Sequence, residues 1–483
     1  MSKFFVYYDP DIDGLMAGYI TERYLDKFNK HSLFYINENR EHGFKMPPEV
    51  YKAMKGGTVI AVDFAMSRDE VKLLLAEGVN VVSIDHHHIN DSFVHEINEE
   101  TGCEGVIINN QYAWEPQEYR FLSGAGVVYY VLRYIDEKLG FNSDMRDEES
   151  LVGITLLSDV RETEGLIAQE FLKETYRNES PTMKYLVDLT TEDTGYAKYD
   201  SFGVPCMNRN FIDYNFSPLF NALFRLNKGF DAILLVKGDP TKRAEYKSGN
   251  TIFTCRRVQN NITAIIMDNL KGVELSSIIV KGVKHDLPVN ANYRLSNFIG
   301  LACSRVRDDL KTTFLYVESD VEGQIQRGSV RGLYDNVDYL SLFRAAGFKA
   351  EGHKNAFGVL ATNMNDIDLE ALNKAVEEAE REAKEKSKET RKIIEITNLT
   401  LFLSGPNKQI AYINTMVRDA FRIYLKYKGS NVVANQRGKM IEYLVDGIPV
   451  KCFDLDLNME NGIILPIYGR GDYIEFTLRR DIS

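Results

Sequence analysis

Paired cysteines are missing from this 483-residue sequence. The five that occur, Cys103, Cys206, Cys255, Cys303 and Cys452, are scattered without a C-x-x-C pair. That excludes a zinc knuckle and supplies no disulfide framework, so they read as reduced, partly buried residues. Basic charge is also in short supply: 58 Lys and Arg stand against 70 Asp and Glu, a formal net charge of −12. A protein that coats nucleic acid by counterion release needs clustered cations, which argues against that class while leaving local basic patches open. No apolar run is long enough to span a bilayer. The opening MSKFFVYYDPDIDG is interrupted by acids too early for a signal peptide or an anchor. A cytoplasmic protein with no membrane partner is expected, and no internal repeat is visible.

What is present is a soluble, globular composition, 44% hydrophobic and 27% charged, on a chain long enough for two or three domains. The first part alternates strand and helix patterns. KFFVYY, TVIAVDF and VNVVSI read as buried strands, and SRDEVKLLLAEG as a capped amphipathic helix. This is the βαβ grammar of a parallel sheet covered on both faces. SGAGVVYYVLRYIDEKLG and EESLVGITLLSDV then read as helices. The middle of the chain is less regular: FDAILLVKG looks strand-like and DPTKRAEYKSGN like a polar turn. A second α/β pattern follows: the strand SSIIVKG, a helix around NYRLSNFIGLACSRVRDD, the strand TTFLYVES, then IQRGSVRG. Next comes a long charged helix whose apolar positions, Leu369, Leu372, Val376, Ala379 and Ala383, form a narrow stripe, as in a solvated spacer. The last segment mixes an amphipathic helix, IAYINTMVRDAFRIYLKY, with several strands, and YGRGDY reads as a hairpin turn.

Acidic and histidine residues gather at strand ends. Asp9, Asp11 and Asp13 follow the first strand in YYDPDIDGL, Asp63 ends VIAVDF, and Asp85, His86 and His87 follow VVSI. Taken singly, each is an ordinary turn or helix-cap residue. In an open parallel sheet, however, the carboxyl ends of the strands line one edge, where ligands bind. So many carboxylates along one edge repel unless a cation neutralises them. Mixed Asp and His donors suit Mn²⁺ better than Ca²⁺ or a thiolate-held Zn²⁺, and two such ions sharing a carboxylate can activate water and clamp a phosphoryl group.

The triplet Asp85-His86-His87, with D-x-D-G before it, Asp63 between and Asp159 in LVGITLLSDV behind, resembles the motif set of the DHH phosphoesterase superfamily. GSVRGLYDNVDYLSLFRAAGFKAEGHKNAFG resembles that family's DHH-associated substrate domain. The resemblance covers roughly residues 1–165 and 276–365. It implies an α/β fold class: a parallel-sheet DHH catalytic domain (1–165), a connecting region (166–275) and a smaller α/β substrate-binding domain (276–365). A charged linker helix (366–395) and a C-terminal α+β module (396–483) complete the expected chain. By matched position, Asp9, Asp11, Asp13, Asp63, His86 and Asp159 would bind two Mn²⁺ ions, with Mg²⁺ or Co²⁺ as substitutes. Asp63 would bridge the ions, and Asp63, His86 and His87 would form the catalytic group, His87 behind or facing the phosphate. His88 falls outside the motif. Many small-substrate members carry a histidine where this chain has Tyr7, and Asp9 is an extra acid of the RecJ-like kind.

In the second domain, Ser329, Arg331, Gly352, His353, Lys354 and Asn355 would hold the substrate's phosphate or terminal nucleotide. Arg offers a planar fork for phosphate oxygens, and the backbone amides of the Gly352–Asn355 turn can form an anion nest. The expected activity is hydrolysis of nucleotidyl phosphodiesters by two metal ions. The negative charge and the G-H-K-N-A-F-G turn favour short oligonucleotides or linear and cyclic dinucleotides as partners, because the C-terminal segment does not offer the run of strands of an oligonucleotide-binding barrel. A RecJ-like exonuclease acting on single-stranded DNA or RNA is the alternative, and a non-catalytic nucleotide sensor or scaffold is a second one. Oligomeric state is left open by the sequence.

Overall fold

The computed structural model describes residues 3–37, 44, 46–64, 66–87, 93–112, 114–159, 166–177, 180–191, 211–248, 251–269, 279–280, 296–310, 314–318, 324–325, 327–334, 336–360, 362–390, 392–403, 423–437, 440–452, 455, 457–460, 462–468 and 474–480. The chain divides into two compact units, Met1–Asp193 with Tyr214–Ala383, and Thr194–Asp213 with Lys384–Ser483. No described helix is long and apolar enough to cross a membrane.

The first unit opens with β1 (Phe4–Tyr8), α1 (Ile12–Lys27), β2 (Ser32–Ile36), α2 (Pro48–Ala53), β3 (Thr58–Val62), α3 (Arg68–Ala76), β4 (Asn80–Asp85), β5 (His95–Ile97) and β6 (Glu104–Asn109). Helices α4 (Gly124–Leu139) and α5 (Arg146–Ser158) follow. The sheet order is β2-β1-β3-β4-β6-β5, parallel except where β5 meets β6. Near-continuous apolar strands such as FFVYY and TVIAV need cover on both faces. On one face α3 closes over Phe5, Val59, Ala61 and Val81 through Val71, Leu74 and Leu75. Its start is fixed by a capping box in which the Ser67 side chain accepts from Glu70 N and the Glu70 carboxylate accepts from Ser67 N. On the other face α1, α4 and α5 pack together, with α1 against β1 and α4 against β4. The register aligns Tyr8 with Val62 and Val62 with Ile84, and Asp85 with Asn109. The residues that follow these positions therefore emerge side by side at one edge.

The segment after α5 is helical throughout its described part. Two expectations are corrected here. FDAILLVKG is a helix, Gly229–Val236, and DPTKRAEYKSGN contributes another, Pro240–Ser248. A short run that is apolar on every side cannot be assigned by periodicity. Here it is enclosed by neighbouring helices, including α1, so its backbone must satisfy its own hydrogen bonds. Asp239 and Pro240 are a helix start rather than a turn: the Asp239 carboxylate accepts from Lys242 N at 2.8 Å, and Pro occupies the first helical position.

The rest of the first unit holds a second sheet. Its strands are β7 (Ile279–Val280), β8 (Phe314–Glu318), β10 (Arg327–Arg331), β11 (Ala350–His353) and β12 (Ala356–Val359), in the order β11-β12-β10-β8-β7. A short ribbon pairs β9 (Gln324–Ile325) with β13 (Thr362–Asn363). The charged helix Leu369–Thr390 is not a solvated spacer. Leu372, Val376 and Ala383 are buried in the same core as Val330, Tyr339, Phe343, Phe348 and Phe357, so its narrow stripe is narrow because it faces a single lobe.

The second unit carries β14 (Lys392–Ile396), β15 (Ile423–Tyr427), β16 (Val432–Arg437), β17 (Met440–Val445), β18 (Ile448–Cys452), β19 (Gly462–Tyr468) and β20 (Ile474–Arg480). They form one sheet in the order β14-β15-β19-β20-β18-β17-β16. The several strands expected of the C-terminal α+β module are present, gathered into this single sheet. Asp446-Gly447, both at positive φ, joins β17 to β18 in a two-residue hairpin with Val445 opposite Ile448. Of the expected amphipathic helix, IYLKY is instead β15, and residues 404–422 lie outside the described residues, as do residues 469–473 of YGRGDY.

Phe343 is fully buried and meets the rings of Phe348 and Phe357 at 5.2 Å each. Phe343→Ala should therefore destabilise the first unit by about 3–5 kcal/mol, read as a lower denaturation midpoint in urea. An unchanged midpoint would show that this lobe does not depend on its aromatic core.

Candidate metal centre

The centre begins where β1 ends. Asp9 is buried, Asp11 caps α1 by accepting from Gly14 N at 3.0 Å, and Asp13 lies buried in the first turn. A β-carbon at Gly14 would overlap Asp9 O and lie 2.7 Å from the Asp9 β-carbon. The glycine of D-x-D-G is thus the residue that lets α1 start this close to the strand it follows.

Asp63 leaves β3 in the left-handed region, φ 66°, with its amide donating to Ile84 O at 2.8 Å. That conformation is unusual for a non-glycine residue, and it turns the carboxylate toward the others. His86 leaves the end of β4 and places Nε2 3.1 Å from Asp63 Oδ1, 3.6 Å from Asp13 Oδ2 and 3.8 Å from Asp159 Oδ2. Asp159 is the C-cap of α5, with its amide donating to Thr155 O at 2.9 Å. Three groups have donor atoms within 4.8 Å of one another: Asp63, Asp85, His86 and His87; Asp13, His86 and Asp159; and Asp9, Asp11 and Asp63.

Several supporting residues escaped the sequence reading. The Asp13 carboxylate accepts from Gly124 N at 2.6 Å and Ala125 N at 2.9 Å, so the amino end of α4 holds it. Ser123 caps that helix and bonds Thr155 at 2.7 Å. A side chain on Gly124 would overlap Asp63 Oδ1. Asn109, the last residue of β6, donates to Asp85 Oδ2 at 3.1 Å and to His87 O at 3.0 Å. The signals were there: small residues opening a capped helix in SGAG, and an amide at a strand end beside β4.

Charge confirms how crowded the centre is. Burial, then the charges of Asp159 and Asp11, raise the Asp13 pKa from 3.8 to about 7 against the pull of the two α4 amides. Burial and the carboxylates of Asp13, Asp11, Asp9 and Asp85 push Asp63 well above the ordinary range. Asp63 Oδ1 is buried and accepts no hydrogen bond. Asp85 behaves oppositely: despite burial, His87 and His86 hold its pKa down. His87 Nδ1 sits 2.8 Å from Asp85 Oδ1, and although burial works against it, this carboxylate raises the His87 pKa to about 10. A carboxylate can only accept here, so the Nδ1 proton is fixed and Nε2 is the nitrogen left facing other groups. A buried oxygen without a donor, amid mutually repelling carboxylates and an imidazole, fits divalent cations. Asp9, Asp11, Asp13, Asp63, His86 and Asp159 are among the residues that could hold them.

The second lobe reaches this centre. His353 ends β11, and its Nε2 lies 3.0 Å from Asp159 Oδ1, with its ring stacked at 5.6 Å on His87. Arg331 and His353 both register with Ala356, so they share a face of the sheet with only a methyl group between them. The Arg331 guanidinium donates to the oxygen of buried Ser329 at 2.9 Å and to Val330 O at 2.7 Å. Gly352, at φ 136°, precedes His353, and Lys354-Asn355 is the two-residue turn into β12. Carbonyls of Lys354 and Asn355 accept from Leu340 N and Gly332 N. Tyr7 is a core residue, its ring against Tyr35, Phe44 and Phe64. His88 lies outside the described residues.

The comparisons agree with this architecture. Residues 3–155 match the DHH family, N-terminal domain. The first part of the chain is therefore similar to the amino-terminal domain of the DHH family. The chain is 26% identical over 400 residues, 76% of its length, to a chain of Bacillus subtilis (strain 168) named an SPbeta prophage-derived single-strand DNA-specific exonuclease, YorK. The present chain spans 64% of that relative's length. RecJ from Thermus thermophilus in complex with Mn²⁺ shares the fold at a TM-score of 0.68 and 18% identity, over 99% of this chain and 68% of that one. The complex of the same protein with Mg²⁺ gives 0.59 and 15% over 99% and 67%.

Two outcomes follow from the packing and the charge. Gly124→Ala should lower Mn²⁺ affinity at least tenfold by displacing Asp63, measured by titration calorimetry on protein whose circular dichroism is unchanged; equal affinity would mean that Asp63 has room to move. Asp13 keeps a proton in the folded chain that the unfolded chain loses between its ordinary 3.8 and about 7. The cation-free protein therefore loses stability as pH rises through that window, while cation binding, which needs the carboxylate, strengthens. Mn²⁺ should raise Tm more at pH 8 than at pH 5.5, and an equal rise would contradict the assignment.

Proposed function

We propose that this chain is a divalent-cation-dependent exonuclease that hydrolyses phosphodiester bonds of single-stranded nucleic acid. The observation that carries the proposal is the convergence of Asp9, Asp11, Asp13, Asp63, His86 and Asp159 into overlapping donor groups at one edge of a DHH sheet. Three further observations support single strands over dinucleotides. The relative that is 26% identical is named for single-strand DNA. The likeness in fold to RecJ extends over 99% of this chain, including the C-terminal sheet. Tyr7 belongs to the core while Asp9 joins the acidic group.

Two ions, manganese or magnesium, held there would supply Lewis acidity at a phosphoryl group and an acidified water. The protein's own part is positioning. Asp13 is fixed by the α4 amides and Asp63 by its strained backbone, so the donors are arranged before an ion arrives. His87, kept cationic by Asp85, offers its Nε2 side to a phosphate oxygen or to the leaving oxygen. In this reading Arg331 exchanges its bond to Ser329 for the phosphate of the strand's terminal nucleotide, and His353 orients it beside Asp159.

Asp63→Ala and His86→Ala should each abolish Mn²⁺-dependent hydrolysis of an end-labelled single strand while the fold persists. Arg331→Ala should chiefly raise KM. A panel of strands of increasing length, with cyclic dinucleotides and pApA, identifies the substrate: rates that climb with length support the proposal, and turnover of dinucleotides alone would overturn it. Tight Mn²⁺ binding with no turnover of any member would make the chain a sensor rather than an enzyme.

A further inference from the structure

The single tryptophan of the sequence, Trp114, is not used by the site described above, and its setting is unusual for a surface residue. It lies between Asn109, which bonds Asp85 and His87, and Gly124, whose amide bonds Asp13. Both ends of its loop are therefore fastened to the metal centre. Five residues of chain limit the Cα separation of Asn109 and Trp114 to roughly 18 Å, within a few nucleotides of a phosphate bound at the centre.

The indole is 59% exposed yet held in place. Its ring lies 4.4 Å from that of Tyr112 with an interplanar angle of 15°. Tyr112 is buried, and its hydroxyl donates to Phe93 O. The loop is braced across its width: Asn110 Nδ2 donates to Tyr119 O at 2.6 Å, Gln111 Nε2 to Arg120 O at 2.9 Å, and Arg120 Nη2 to Tyr112 O at 3.3 Å. Isolated exposed apolar residues are common and call for no explanation. An indole stacked flat on an anchored buried ring, on a braced loop tied to an acidic catalytic edge, is a different arrangement. It presents a rigid π-face whose ordering is already complete before a ligand binds. An acidic protein gains little from tracking phosphates, so a flat uncharged partner is the chemistry this face suits.

We propose that Trp114, backed by Tyr112, is a stacking platform for a nucleobase of the single strand whose phosphodiester lies at the metal centre. The inference rests on the proposed exonuclease function and adds to it a base-binding position. Stacking is tolerant of base identity because every base has a π-face, so the platform would position the strand without imposing a sequence.

A lone tryptophan reports on its own contact. With Ca²⁺ replacing Mn²⁺ to hold off hydrolysis, oligothymidylate should quench Trp114 emission in the full-length protein, whereas an abasic strand of equal length should not. Trp114→Ala should weaken strand binding about tenfold and raise KM with kcat and Mn²⁺ affinity retained, and Trp114→Phe should restore most of the loss. If a dye-labelled strand binds by anisotropy but bases and abasic sites quench alike and Trp114→Ala keeps the wild-type KM, the platform is refuted. If no strand binds the wild-type protein at all, the exonuclease reading fails first and the platform falls with it.

Discussion

Like charges confined in a small, dry volume set the terms for this molecule. Asp13 and Asp63 are buried beside further carboxylates, and each is pushed toward its neutral form by its neighbours and by loss of water. Such a group is tolerable only where helix amides, imidazoles or cations balance it. The surrounding architecture does this in layers. The amino end of α4 addresses Asp13, His86 sits among three carboxylates, and the Asp85–His87 pair supplies a fixed cation stiffened by Asn109.

That constraint explains why strained and unusually small residues collect here. Asp63 adopts φ 66° and Gly124 has no room for a side chain beside it. Such features cost stability and persist where the surrounding packing over-determines them. The hydrophobic cover on both faces of the first sheet, α3 on one side and α1 with α4 on the other, provides that packing. The second lobe meets the centre through the β11 strand end, where His353 contacts Asp159 and His87. The two lobes thus share a boundary made of the His86, His87 and His353 rings and the Asp159 carboxylate, which under the proposed function would couple substrate position to the chemistry.

The fold class and the sheet edge were legible before any coordinates because strand runs and strand-end acids are local signals with a period and an address. The errors were local as well. FDAILLVKG is apolar all round, so its helical state depends on the helices that enclose it. The stripe of the charged helix Leu369–Thr390 resembled a spacer because only one lobe covers it. The strands of the C-terminal module were expected, but their order in one sheet is set by pairings between segments distant in sequence.

By itself the sequence determined which residues could carry the chemistry: the D-x-D-G run, Asp63, the D-H-H triplet and the acid ending α5, each at the end of an element that its own pattern terminates. Only the tertiary structure decided which atoms meet. That Asp13 is held by backbone amides of α4, that Asn109 braces Asp85 and His87, and that His353 faces Asp159 all depend on contacts between residues distant in sequence. Backbone amides carry no side-chain signature, and a pairing between separate elements leaves no period along the chain. Those relations come into being when the sheet's register and the helix packing are set.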